Sequence, residues 1–202
     1  MPPWGWQQFQ RYFALRLLPG VETLSANCYC RSLRIDGVTG WLMVRPQPGQ
    51  NAVELSISPS AMAISSALLT RVRRMFDLDA DPQAIAAHFS SDAQLGPLVA
   101  GKPGLRLPTA FDPFEQAVRA IVGQQVTVKA AVTITNRLVA RFGEPLPDAP
   151  IDGPHRLFPT PKQLASADLS AIGMPAKRCW RCNIWPLRCR RQLLIADGGR
   201  RR

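Results

Sequence analysis

Asp112-Pro113-Phe114-Glu115-Gln116-Ala117-Val118-Arg119-Ala120-Ile121-Val122-Gly123-Gln124-Gln125-Val126-Thr127-Val128-Lys129-Ala130-Ala131 decides how this sequence is read. Asp112 is a good N-cap, Pro113 suits the first helical position, and Glu115 falls where a capping box needs its acid. Phe114, Ala117, Val118, Ile121 and Val122 recur on one helical face, and Gly123 ends the helix. A second helix follows to Phe142, with Val128, Ala131, Val132, Thr135, Leu138, Val139 and Phe142 on one face. Two starts fit it: Thr127 as a cap, or Gln125. Gly143 and Pro145 stop it. The tight turn between the helices exposes Gln124, Gln125, Thr127 and Lys129, residue types suited to phosphate and base-edge contacts at a helix N-terminus. An ordinary polar inter-helix turn explains the same composition.

Downstream, Thr160-Pro161-Lys162-Gln163 repeats the cap, proline and N3-amide pattern, and a short turn runs through Leu169 and Ile172 to Gly173-Met174-Pro175. Upstream, residues 90–111 are rich in Gly, Pro and Ser and read as a linker. Before them lies a small α/β unit. Trp6 to Leu18 has helical apolar spacing. Three strand-like segments follow: Tyr29–Ile35 and Trp41–Arg45 about an Asp36-Gly37 turn, then alternating Val53, Leu55 and Ile57. Ala61, Ser65, Leu68, Leu69, Val72, Met75 and Phe76 share a helical face, and Asp81-Pro82 opens another short helix. The expected fold is α+β: a small antiparallel-sheet α/β domain over residues 1–100, then an incomplete all-α domain over 101–178, then a basic Cys/Trp/Arg tail over 179–202.

The chain has 202 residues, 46% hydrophobic and 19% charged, so it is neither disordered nor fibrous. Its apolar runs are too short for a membrane span, and the N-terminus lacks the pattern of a signal peptide. Five cysteines without an export signal suggest free thiols in a reducing, cytoplasmic setting. Nine of the 25 basic residues and one of the 14 acidic ones fall within residues 177–202, which leaves residues 1–176 at a net charge of +3. The net charge of +11 is therefore a weak argument for nucleic acid. His88 and His155 have no partner by spacing. Cys28 and Cys30 share a strand face as buried thiols, and Cys179, Cys182 and Cys189 lack a fourth zinc ligand nearby. No cofactor and no metal is expected.

Lys102-Pro103-Gly104-Leu105-Arg106-Leu107-Pro108, then Asp112 to Ile121, Gly123-Gln124-Gln125-Val126, Phe158-Pro159-Thr160-Pro161 and Gly173-Met174-Pro175 occur in an order that resembles the DNA-3-methyladenine glycosylase II family. That family belongs to the helix-hairpin-helix DNA glycosylase superfamily, and the resemblance covers roughly residues 4–178. It implies base-excision repair by a monomer on double-stranded DNA containing alkylated bases: the damaged nucleotide is flipped out and its N-glycosidic bond hydrolysed. It also implies that Gln125 fills the vacated space in the duplex, with Gln124, Val126, Thr127 and Lys129 as DNA contacts. Tyr12 corresponds to an aromatic beside the base pocket.

After Lys177-Arg178 the likeness stops. The family continues with an amphipathic helix, the helix-hairpin-helix, a catalytic aspartate and further pocket aromatics, and this sequence has none of them in a matching motif. Asp112 reads as a cap, and Asp148, Asp152 and Asp168 fall in loops or turns. Residues 179–187, read in codons shifted by two nucleotides, spell Leu-Ala-(Leu/Met/Val)-Gln-(His/Tyr)-(Leu/Met/Val)-Ala, an apolar helical string. A frameshift after Arg178 is the expectation, with an inactive chain as its consequence. The alternatives are a non-enzymatic DNA-binding module whose basic tail is genuine, and a zinc-stabilised interaction protein.

Overall fold

The computed structural model describes residues 5–47, 49–50, 52–102, 104–174 and Cys182. Helix α1 (Trp6–Ala14) stops short of Leu18, since Pro19 biases the residue before it away from helix. Four strands follow, β1 (Glu22–Ser25), β2 (Cys28–Ile35), β3 (Val38–Pro46) and β4 (Val53–Ile57), in one antiparallel sheet in chain order. The sequence pattern shows only three of them. β1 is four residues long with a single large apolar side chain, Leu24, so it has no period to read, and its pairing (Glu22 opposite Arg31, Ser25 opposite Cys28) makes it a strand. At the β2–β3 turn Asp36 and Gly37 have φ of 49° and 85°, the positive pair that a tight hairpin requires.

A 3-10 helix (Pro59–Ile64) leads into α2 (Ser65–Met75), followed by α3 (Pro82–Phe89) and α4 (Leu95–Ala100). The single apolar stripe expected from Ala61 to Phe76 is broken at this junction, which turns Ser65 and Leu69 out to solvent. α4 lies inside the stretch that reads as a linker. Its start is fixed by Asp92, whose carboxylate accepts from the amides of Gln94 and Leu95 at 2.8 Å, and Pro97 is tolerated in the first turn. The rest of that stretch is also held down. Thr109 N–H donates to the Met75 carbonyl, the Arg106 guanidinium donates to the carbonyls of Asp77 and Ala80, and Phe111 is buried.

The second half is helical: α5 (Pro113–Val122), α6 (Val128–Phe142), α7 (Pro161–Ala165) and a 3-10 turn (Ser170–Ile172). The Thr160–Gln163 capping box forms as its sequence predicts. Two cores result. The first packs Phe9, Phe13, Tyr29, Leu42, Leu68, Val72, Phe76 and Phe111 between α1, the sheet and α2, with Phe9 stacked on Phe13 and Phe76 at ring separations of 4.1 and 4.2 Å. The second packs Val118, Val122, Leu138, Val139, Leu164, Leu169 and Ile172, and it draws in Leu18 and Val21 from the first half. β2 is buried along nearly its whole length, because the helical half covers the side that the first core leaves open. Cys182 also packs into the second core. Cys179, Cys189 and the remainder of the tail, on which the frameshift and basic-tail readings rest, lie outside the described residues. No described helix is long and apolar enough to cross a membrane.

Candidate functional site

The site is built around the turn between α5 and α6. Asp112 accepts from the Glu115 amide at 2.9 Å and starts α5. The Glu115 side chain does not return to complete a capping box; it turns inward and is buried, because two arginines wait there. Gly123 caps the other end of α5. Gln125 then takes the left-handed conformation, φ 55°, which reverses the chain. Thr127 is the N-cap of α6, its Oγ1 accepting from the Ala130 amide at 3.2 Å, which settles the choice between the two starts. Gln124, Gln125, Thr127 and Lys129 are exposed, and Val126 is half-buried.

Beside this turn lies a cavity of about 380 Å³, within the usual ~300–1,000 Å³ of small-molecule sites. Tyr12 and Phe13 from α1, with Arg16 just beyond its end, form one wall, residues of α5 and α6 the opposite one, and Val126 and Gly123 part of the edge. The structure therefore brings Tyr12 and Val126 to one cavity. Gln124, Gln125, Thr127 and Lys129 are outside its lining, on the solvent side of the turn. Val128, expected on the buried stripe of α6, borders the cavity and is 46% exposed.

Four charged side chains form the floor. Arg31 reaches Glu115 at 2.5 Å and Glu22 at 3.7 Å, and Arg119 reaches Glu22 at 3.3 Å and Glu115 at 3.1 Å. Glu22 also accepts from the Tyr29 hydroxyl at 2.7 Å and the Leu18 amide at 3.0 Å. Arg119 further donates to the Arg16 carbonyl, which ties α1 to α5. Burial alone would raise the Glu115 pKa, but Arg31 and Arg119 hold it below the ordinary carboxylate value. Burial would lower the two arginines, and their carboxylate partners raise them instead. Burial, with Glu22 beside it, pushes the Tyr29 phenol well up. The third acid at the cavity, Asp112, caps α5 and faces Arg71 at 3.5 Å. Each of the three carboxylates that border the cavity, Glu22, Glu115 and Asp112, is thus engaged by an arginine or a helix cap.

Val21-Glu22-Thr23, Arg31-Ser32-Leu33 and Arg119 fall within segments that carry the family resemblance, but the sequence gives no site role to Glu22, Arg31, Arg119 or Arg16. One signal was present: Arg31 alternates with Tyr29, Leu33 and Ile35 on a core-facing strand, where a cation must find a buried acid. His88 and His155 are exposed, and no described group of His, Cys, Asp and Glu is arranged to hold a metal ion. Cys28 is half-buried and Cys30 buried, both free thiols.

Residues 1–112 match the family model of the AlkA N-terminal domain, and residues 118–178 that of the HhH-GPD superfamily base excision DNA repair protein. The chain belongs to the family that joins these two domains. Among its relatives is DNA-3-methyladenine glycosylase 2 of Escherichia coli, 37% identical over 180 residues, which are 88% of this chain and 61% of the relative. The probable bifunctional transcriptional activator/DNA repair enzyme AlkA of Mycobacterium tuberculosis is 32% identical over 197 residues, 98% of this chain and 39% of that protein. The chain thus spans less than two thirds of the length of either. The fold matches that of 3-methyladenine DNA-glycosylase from Archaeoglobus fulgidus, with a TM-score of 0.75 at 19% identity over 91% of this chain and 63% of that one. An 8-oxoguanine glycosylase/lyase of Clostridium acetobutylicum, solved with double-stranded DNA, gives a TM-score of 0.54 at 16% identity, covering 90% and 67% of the two chains.

Proposed function

We propose that residues 5–174 form the DNA-docking and pocket-wall part of a DNA-3-methyladenine glycosylase, a base-excision repair enzyme acting as a cytoplasmic monomer on alkylated bases in duplex DNA without a cofactor. One observation carries this reading: an exposed polar turn, led by the left-handed Gln125, stands beside a cavity walled by Tyr12. A base-flipping protein needs both parts together, a side chain to fill the gap in the stack and a pocket for the extruded base. Gln125 is the filler in this reading. Gln124, Val126, Thr127 and Lys129 engage the backbone around it, with Lys129 supplying charge to a phosphate.

The same cavity favours a second statement, that these residues bind without cleaving. Cleavage of an N-glycosidic bond develops positive charge on the sugar, and a free carboxylate aimed at it supplies much of the stabilisation. Glu22, Glu115 and Asp112 are all committed to arginines or a helix cap. The docking part is tested by fluorescence anisotropy of the 202-residue chain on a duplex with one methylated purine. Gln125→Ala should weaken binding, and Lys129→Ala should reduce the salt slope by about 1. Failure of the unaltered chain to bind any duplex at low salt would refute the reading. Free alkylpurine released by the purified chain would refute the non-cleaving part alone.

A further inference from the structure

Cys28 and Cys30 alternate with Tyr29 and Arg31 along β2, so they lie on the face of the sheet opposite that of Arg31, which lines the cavity. Met43 on β3 stands directly opposite Cys30 in the antiparallel register, which puts its thioether on the same face. Three sulfurs thus share one patch. Cys28 and Cys30 are about 6.6 Å apart along the strand, and Met43 is about 5 Å to the side of Cys30. Both cysteines are free thiols. Cys30 is 3% exposed, while Cys28 and Met43 are half-buried, so the patch is closed to water at Cys30 and opens at the other two. The flanking positions carry hydroxyls: Ser25 and Thr23 on β1 face Cys28 and Cys30, and Ser56 on β4 faces Met43. Two charges act on a Cys30 thiolate, repulsion from Cys28 and attraction from Arg45.

We propose that Cys28, Cys30 and Met43 form a binding site for a soft monovalent metal ion, copper(I). Binding breaks two S–H bonds and forms two bonds from thiolate sulfur to the metal. Both protons go to solvent, and no electron moves. The metal cation removes the repulsion that two bare thiolates would exert on each other, and Arg45 offsets the single negative charge that remains. The donors choose the ion. Thiolate and thioether sulfurs are soft and suit copper(I). Zinc asks for four donors, and no described His, Asp or Glu joins the two cysteines. Calcium and magnesium need oxygen ligands. The spacing also favours a metal over a disulfide. Two strand positions about 6.6 Å apart are at the long end of the ~4.4–6.8 Å that a disulfide spans, and a metal ion fills that gap. The site is independent of the base-excision reading, since it lies on the other face of the sheet from the cavity.

The test uses the full chain and copper(I), kept reduced by ascorbate under argon and offered as its bicinchoninate complex. The unaltered chain should withdraw the metal from the chelator, and peptide-mapped alkylation should find Cys28 protected when copper(I) is present. Even an outer partner of a metal site is worth about 10–100-fold in affinity, so Cys28→Ser and Cys30→Ala should each weaken binding by about 100-fold or more, and Met43→Leu by about 10-fold. Cys179, Cys182 and Cys189 offer competing thiols, which is why protection is read at Cys28 itself. Equal alkylation of Cys28 with and without copper(I), or an unchanged affinity in Cys28→Ser, would overturn the proposal and assign the metal to those other cysteines. Zinc(II) that displaces copper(I) at equal concentration would overturn the choice of ion. Far-ultraviolet circular dichroism checks the fold of each variant. Cys28 is only half-buried, so Cys28→Ser keeps the test decisive even where Cys30→Ala does not fold.

Discussion

Glu115→Gln removes one negative charge from a buried set of two carboxylates and two guanidiniums. The loss follows from the geometry. Glu115 accepts from Arg31 at 2.5 Å and from Arg119 at 3.1 Å, and its side chain is 6% exposed. In its absence two arginines share Glu22 alone, and one buried positive charge is left without a counterpart. Breaking a buried pair in this way costs about 3–5 kcal/mol, which for a chain of this size lowers the thermal midpoint by about 6–20 °C. The effect should depend on pH. Arg31 and Arg119 depress the folded-state pKa of Glu115 against the effect of burial, so its stabilisation is fully present above the unfolded-state value of about 4.3 and is lost as pH falls through the folded-state value. Glu115→Gln should therefore flatten the acid limb of the stability curve and lower its neutral plateau. Urea denaturation across that range reads both. The paired change Arg31→Met with Glu115→Leu leaves Glu22 and Arg119 balanced and should recover much of the loss. A neutral-pH cost for Glu115→Gln below about 1 kcal/mol would show that the network is not the closed set described. A double variant no better than the single one would show the same.

Gln125→Gly should stabilise the chain by up to about 1 kcal/mol in thermal unfolding, since φ 55° strains a non-glycine residue, while duplex binding falls because the side chain is gone. Gly40→Ala should destabilise by about 1–3 kcal/mol, because a Cβ there collides with the Ser58 hydroxyl behind β3; equal stability would refute the close packing. Leu138→Ala, which empties a fully buried site in the second core, should cost about 2–5 kcal/mol. Burial, with Cys28 adjacent, pushes the Cys30 thiol up to about 12, so peptide-mapped alkylation of the folded chain at neutral pH should leave Cys30 unmodified while Cys28 reacts.

What could be read from the sequence was local. Asp36-Gly37, Asp112-Pro113, the Thr160 capping box and the stripe of α5 each announce themselves within a few residues, because caps and turns satisfy their own backbone groups. The parts that escaped reading are those whose meaning is supplied from far along the chain. β1 is a strand because β2 lies beside it. Glu115 looks like a capping-box acid, and it is drawn away by Arg31, 84 positions distant. Arg119 finds Glu22 across 97 positions. The turn of residues 123–127 was legible as a turn and as a polar surface, but the cavity beside it was not, since its walls come from α1, α5 and α6, which no window spans.

The buried charges also explain how a pocket can sit between two halves without loosening them. Among the described residues, Leu18 and Val21 of the first half reach into the second core. Around the cavity the seam is held by charge. Arg31 on β2 and Glu22 on β1 meet Glu115 and Arg119 on α5, and Arg119 extends the same set to the Arg16 carbonyl behind α1. The contacts are directional, and they tie the wall bearing Tyr12 to the helix leading to Gln125. A seam of this kind is intolerant of substitution but holds open the space between its ends, as the proposed base pocket beside Gln125 requires.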